Sequence, residues 1–144
     1  MINHQAIQPT AAIENLNYVR NTFIFVDYEN APNFGLEFVS HNNVHLILMI
    51  GHKQLPPREK RLARFRNKVQ TITVNQLQEK GKNALDFCLS LEIGKVIEKE
   101  AFADIIIVSN DHGFDPILQY VKRTATTARH GRYSRISREA SFVS

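Results

Sequence analysis

The sequence predicts an α/β domain, a doubly wound and mostly parallel sheet with helices on both faces. Three observations carry this expectation. Phe23-Ile24-Phe25-Val26 and Ile105-Ile106-Ile107-Val108 are short β-branched and aromatic runs bounded by polar residues, as strands buried on both faces are. Segments of helical periodicity alternate with such runs, the pattern of strand–helix–strand crossovers. Both runs also break off into acid: Asp27-Tyr28-Glu29-Asn30 after the first, and Ser109-Asn110-Asp111 with Asp115 after the second.

The elements follow in order. Ile13, Leu16 and Val19 recur at helical spacing and suggest a short leading helix before a first strand over Thr22 to Tyr28. Ala31-Pro32-Asn33-Phe34-Gly35 is a turn, and Leu36 to Ser40 suits a short helix. Val44 to Ile50 is a second strand, stopped by Gly51 and the Pro56-Pro57 pair. Pro57 near the first helical position favours a helix over Arg58 to Asn67, with Leu62, Phe65 and Val69 turned inward. Val69 to Val74 reads as a third strand. Leu85, Leu89, Ile93, Val96 and Ile97 mark a long helix over Ala84 to Lys99, with Asn83 as N-cap. Asp104 to Val108 is the fourth strand, Pro116 to Thr124 a helix, and Gly131 to Ile136 an edge strand. The common order 3-2-1-4-5 would set strands one and four side by side.

At 144 residues the chain is sized for a single domain, with a core over 22–137 flanked by 1–21 and 126–144. Its longest apolar stretch, Leu46 to Ile50, is far too short to span a membrane. The N-terminus lacks the basic-then-apolar order of a secretory signal, and Cys88 is the only cysteine, so no internal disulfide and no cysteine-based zinc site is possible. A cytoplasmic protein is expected. Net charge is +4, but the bases are gathered. Lys53, Arg58, Lys60, Arg61, Arg64, Arg66 and Lys68 are opposed only by Glu59; Lys122, Arg123, Arg129, Arg132, Arg135 and Arg138 only by Glu139. Acids at strand ends and bases elsewhere suit a polyanion bound across a metal.

Asp27, Asp86 and Asp115 each have a local structural explanation beside a functional one. Asp27 could close its strand in an Asx-turn. Asp86, three residues into the helix after Asn83, could complete a cap and face the positive end of the helix dipole. Asp115 immediately before Pro116 is a strong N-cap signal. Asp111 has no comparable explanation. Their joint placement says more than any one of them. Ligands in such sheets sit at the carboxyl ends of the strands, where Asp27 and Asp111 would meet with Asp86 overhanging them from its helix. Carboxylates crowded there repel and lose hydration unless a cation or proton compensates, and a magnesium-type site is the economical answer. His41, His45, His52, His112 and His130 lack metal-ligand spacing and read as ordinary surface or turn residues. Arg61, Arg64 and Lys68 form a basic helix face that is either a phosphate contact or a solvated surface.

At these residues the sequence resembles the PIN-like nucleases, particularly their NYN branch. Phe25-Val26-Asp27-Tyr28-Glu29-Asn30 resembles the opening V-D-x-x-N motif, Asn83 to Asp86 the middle acidic motif, and Val108-Ser109-Asn110-Asp111-His112-Gly113-Phe114-Asp115-Pro116 the S-x-D-x-D-F-x-P signature. The likeness runs from about Phe23 to Ile136. It departs at Gly113, where the signature carries its second acid; either Asp115 replaces that ligand or a second metal site is weakened or lost. The resemblance implies an endonuclease that hydrolyses RNA phosphodiester bonds with Mg²⁺ or Mn²⁺, one metal activating water and a second stabilising the leaving oxygen. It implies Asp27, Asp86, Asp111 and Asp115 as catalytic metal ligands, and Asn30 and Ser109 as substrate or positioning contacts. With one small domain, specificity is expected to draw on dimerisation or a protein partner.

Other classes fit less well. A receiver-type phosphoacceptor needs an Asp ending strand three and a Lys ending strand five, where Asn75 and Ser137 stand. A haloacid-dehalogenase-like phosphatase needs a second Asp at Glu29, and no glycine-rich phosphate loop is present. The alternative is a catalytically weak or inactive domain of the same fold that binds RNA or a protein.

Overall fold

The computed structural model describes residues 20–35, 42–124 and 131–137. The expected leading helix, the short helix over 36–40 and most of the basic tail lie outside the described residues. Within them the chain runs β1 (Thr22–Asp27), β2 (Val44–Ile50), α1 (Glu59–Arg66), β3 (Thr71–Gln76), α2 (Ala84–Lys99), β4 (Asp104–Val108), a 3₁₀ turn (His112–Phe114), α3 (Asp115–Thr124) and β5 (Tyr133–Ile136). The strands form one sheet in the order β3-β2-β1-β4-β5, and every pairing is parallel. The fold class and strand order expected from the sequence are therefore those observed.

A parallel central strand needs apolar side chains on both faces, and β1 supplies them alternately. Ile24 and Val26 pack on one face with Phe65 and Leu62 of α1; Phe25 packs on the other with Leu85, Leu89 and Ile93 of α2 and Leu118 of α3. Burial on both faces leaves Ile24, Phe25 and Val26 at most 1% exposed, which fixes the height at which β1 ends.

Two local expectations shift. The third strand starts at Thr71, not Val69: Val69 is buried against the α1 layer, and ladder pairing begins with His45↔Thr71. As an edge strand, β3 is mostly solvated and carried by Thr, Asn and Gln, so hydrophobicity misplaces its start. Asn83 does not cap α2 with its side chain; its backbone is left-handed at φ 65°, so it turns the chain into the helix instead.

The amino edge of the sheet is closed by ion pairing. Asp104, buried at the start of β4, receives Arg20 Nε at 3.0 Å, Arg20 Nη2 at 2.9 Å, the Arg132 backbone N–H at 2.9 Å and Arg132 Nη2 at 3.1 Å. Burial pushes its pKa up, but the bonds from Arg20 and Arg132 together outweigh that and hold it below the usual carboxylate range. Among the described residues, no helix is long and apolar enough to cross a membrane.

Candidate active site

The register of β1 against β4 builds the site. Val26 pairs with Val108, so Asp27 and Ser109 leave the two adjacent strands at the same level. Ser109 Oγ donates to Asp27 Oδ2 at 2.8 Å and accepts the Asp111 backbone N–H at 2.9 Å. Asn30 Nδ2 donates to the same Asp27 oxygen at 2.8 Å, its position set by the tight turn in which the Asn30 and Ala31 N–H groups donate to Asp27 O. Asp27 is 0% exposed, and its other oxygen, Oδ1, is buried with no hydrogen-bond partner among the described residues. An unsatisfied buried polar atom costs about 1–3 kcal/mol, and more when charged. Among the described residues, no cationic side chain is bonded to Asp27.

Three further acids surround it. Burial first, and then the charges of Asp27, Asp111 and Glu29, push the Asp86 carboxyl above its ordinary range. Asp86 stands in the first turn of α2, so its helix carries it over the ends of β1 and β4. Glu29 is the acid that the sequence did not single out, although it lies in the Asp27-Tyr28-Glu29-Asn30 run. Its carboxylate rests on the bare Cα of Gly51: a Cβ there would fall 2.0 Å from Glu29 Oε2. Asp27, Asp86 and Asp111 are thus brought together, with Glu29 added.

This donor set fits a hard divalent cation. Among the described residues no three His, Cys, Asp or Glu side chains close into a ready-made cage. The charges of Asp27, Asp111 and Glu29 reach Asp86 across a more open space. Mg²⁺ commonly keeps several waters and takes only one or two carboxylates directly, so an open cluster suits it. The partnerless Asp27 Oδ1 is the atom that such an ion would satisfy.

The remaining expected residues separate. Asp115 is engaged by other partners: Arg135 Nε donates to its Oδ1 at 2.7 Å, and His112 Nδ1 lies 3.2 Å from its Oδ2. The Arg135 bond, and then that of His112, lowers its pKa. Nor does it cap α3, since that helix begins at Asp115 itself. The capping role belongs to Asp111, whose Oδ1 accepts the Gly113 N–H at 2.8 Å at the head of the 3₁₀ turn. A Cβ on Gly113 would lie 3.0 Å from that oxygen, so the glycine gives the Asp111 carboxylate room to fold back. Ser109 is 0% exposed, which removes it from direct substrate contact and makes it the link between Asp27 and Asp111. Asn30 is exposed at the site's edge.

Arg61 is not on the solvated side of α1. Its guanidinium lies over the rings of Tyr28, Phe34 and Phe65 and donates to Tyr28 Oη, Pro32 O and Phe34 O at 3.0, 2.7 and 2.8 Å. It clamps the loop after β1 rather than facing a phosphate. Arg64 and Lys68 remain exposed. His45 stacks on Phe23 far below the acids, as an ordinary structural histidine would.

A family model for the PIN domain matches residues 21–131, the span that holds β1 to α3 and all four clustered acids. Searches of curated proteins and of solved structures return no match. PIN domains are generally nucleases, usually use divalent metal ions and bind nucleic acid. On fold, on the placement of acids at the carboxyl ends of the central strands, and on that match, the chain belongs to the PIN domain family.

Proposed function

We propose that this protein is a metal-dependent endoribonuclease of the NYN-type branch, using Mg²⁺ or Mn²⁺. One observation supports this reading above the others: a fully buried carboxylate, Asp27, with one oxygen unpartnered, beside Asp86, Asp111 and Glu29. Asp27 would hold the ion from the central strand, with Asp86 and Asp111 beside it and Glu29 at the margin. A bound divalent ion would supply an activated water and neutralise charge on the phosphate. The protein's part is positioning: Ser109 and Asn30 fix Asp27, and the Ser109–Asp111 link ties the second strand end to the first. Asp115 is committed to Arg135, so it would join the ion only if that pair opened.

A second reading has an observation of its own. Asp111 is spent partly on a cap and Asp115 on an ion pair, which favours a weak or inactive domain that binds RNA or a protein partner. Cleavage of RNA and DNA with Mn²⁺ by the parent chain and by Asp27→Asn separates the two. We expect RNA cleavage by the parent and a loss of about 100-fold or more in the variant. Equal activity in both would remove the catalytic reading.

A further inference from the structure

Beside the acids, toward β2 and β3, lies a cavity of about 390 Å³ that the proposed chemistry does not use. Three strand ends bound it. Glu29 comes from β1, Gly51 and Lys53 follow β2, and Leu77 and Lys80 follow β3, while Leu85 closes it from the first turn of α2. The volume lies within the range of small-ligand sites and is of the order of one nucleotide.

The cavity's wall is braced. Gln76 Nε2 donates to Gly51 O at 2.9 Å and to Gln54 O at 2.7 Å. Gln54 Nε2 donates to Tyr28 O at 2.8 Å, and its Oε1 accepts the Gly51 N–H at 3.1 Å. The loop after β2 is thereby tied to the strand ends on either side, so the cleft is formed in advance. Leu77 and Leu85, 4% and 2% exposed, give it an apolar floor. Lys53 and Lys80 stand at its rim. Glu79 also lines it and offsets part of the charge of its neighbour Lys80, but no acid shares the loop of Lys53. Glu29 belongs to both compartments: it lines the cavity and its charge reaches Asp86.

We propose that this cleft is a nucleotide subsite. It receives one unit of a single-stranded nucleic acid next to the phosphate held at the acidic cluster, the base against Leu77 and Leu85 and the flanking phosphates on Lys53 and Lys80. The orientation rests on the nuclease reading, since that reading puts the reacting phosphate beside Asp27.

Binding of short single-stranded RNA and DNA, followed by fluorescence anisotropy over a range of salt concentrations, tests this without cleavage. The full chain is used with Asp27→Asn and with chelator present. The double variant Lys53→Gln/Lys80→Gln should bind about tenfold more weakly, and its log–log salt slope should fall by about 1.4, or about 0.7 for each lost phosphate contact on a single strand. Lys95→Gln, on the outer side of α2, should change neither. Both lysines are exposed, so the double variant should keep its circular dichroism and melting temperature, and Lys53→Gln alone, with half the slope change, provides a second check. Loss in both nucleic-acid arms, or in the RNA arm alone, supports the subsite. An unchanged slope, an equal loss with Lys95→Gln, or no binding by the parent overturns it. Failure of the nuclease reading appears separately, as absent Mn²⁺-dependent cleavage with lysine-dependent binding intact.

Discussion

Ser109 Oγ donates to Asp27 Oδ2 at 2.8 Å across the β1–β4 seam while it accepts the Asp111 N–H, so a single hydroxyl sets two of the clustered acids. Removing it in Ser109→Ala leaves Asp27 Oδ2 with Asn30 alone and strands the Asp111 amide. Stability should fall by about 1–3 kcal/mol, read by chemical denaturation. Cleavage should fall about tenfold or more beyond what the unfolded fraction explains, because Asp27 loses its fixed direction. Unchanged cleavage in a stable Ser109→Ala protein would mean that Asp27 needs no positioning.

Asp86 gives a pH signature. Its folded pKa is raised, so between the ordinary carboxylate value and that higher value the folded chain binds more protons than the unfolded one. Stability contributed by this group is present in acid and is lost as pH rises through the folded value. Asp86→Asn should therefore match the parent in acid and be the more stable of the two at neutral pH without metal, measured by thermal melts across the acid range. Added Mg²⁺ should raise the parent's melting temperature more at neutral pH than in acid. A parent and variant whose melting curves run parallel with pH would show that the acids do not act on Asp86.

Gly51 leaves room for Glu29. A Cβ there would lie 2.0 Å from Glu29 Oε2, the far end of a flexible side chain, so Gly51→Ala should displace Glu29 and leave the fold in place. The stability change should stay within about 1 kcal/mol. Divalent-ion affinity, read by isothermal titration, should drop about threefold or more as one negative charge leaves the cluster. Full retention of affinity would place Glu29 outside the ion's reach.

Arg135 holds the far side of the same turn. Its Nη1 donates to Ser109 O at 2.9 Å and its Nε to Asp115 Oδ1 at 2.7 Å, with a side chain only 13% exposed. Arg135→Ala should cost about 1–3 kcal/mol and loosen the turn that carries Asp111. The Asp115 pKa is lowered by this pair, so its stabilising effect is present above the ordinary carboxylate range and is lost as pH falls through the depressed value. The variant should lose that part of the parent's acid sensitivity. Arg135→Lys should recover little, because an ammonium cannot reproduce the two-directional fork.

The sequence made the sheet readable because burial on both faces forces near-continuous apolar runs, as in β1 and β4. Periodicity likewise located α2 to the residue, Ala84 to Lys99. The meeting of Asp27 with Asp111 and Asp86 followed from strand order and helix phase, both properties of the chain's own periodicities. Failures came where a distant partner decides. Asp115 looked like a cap from Pro116 beside it, yet Arg135, twenty residues on, claims its carboxylate. Arg61 read as a phosphate contact or a solvated residue on the outer face of its helix, but three aromatic rings and two loop carbonyls draw it inward. Glu29 gained its place from Gly51 just past the end of the neighbouring strand β2, a contact that no local pattern encodes.

Strand β5 has four residues, and beside its ladder to β4 an ion pair fastens each end, Arg132 to Asp104 below and Arg135 to Asp115 above. Electrolyte therefore acts on this molecule twice. It screens any polyanion from the surface lysines, and it slackens the outermost strand whose upper fastening steadies the turn of Asp111. Ionic-strength curves for turnover should be steeper than those for binding, and the excess should track how firmly that short strand is held.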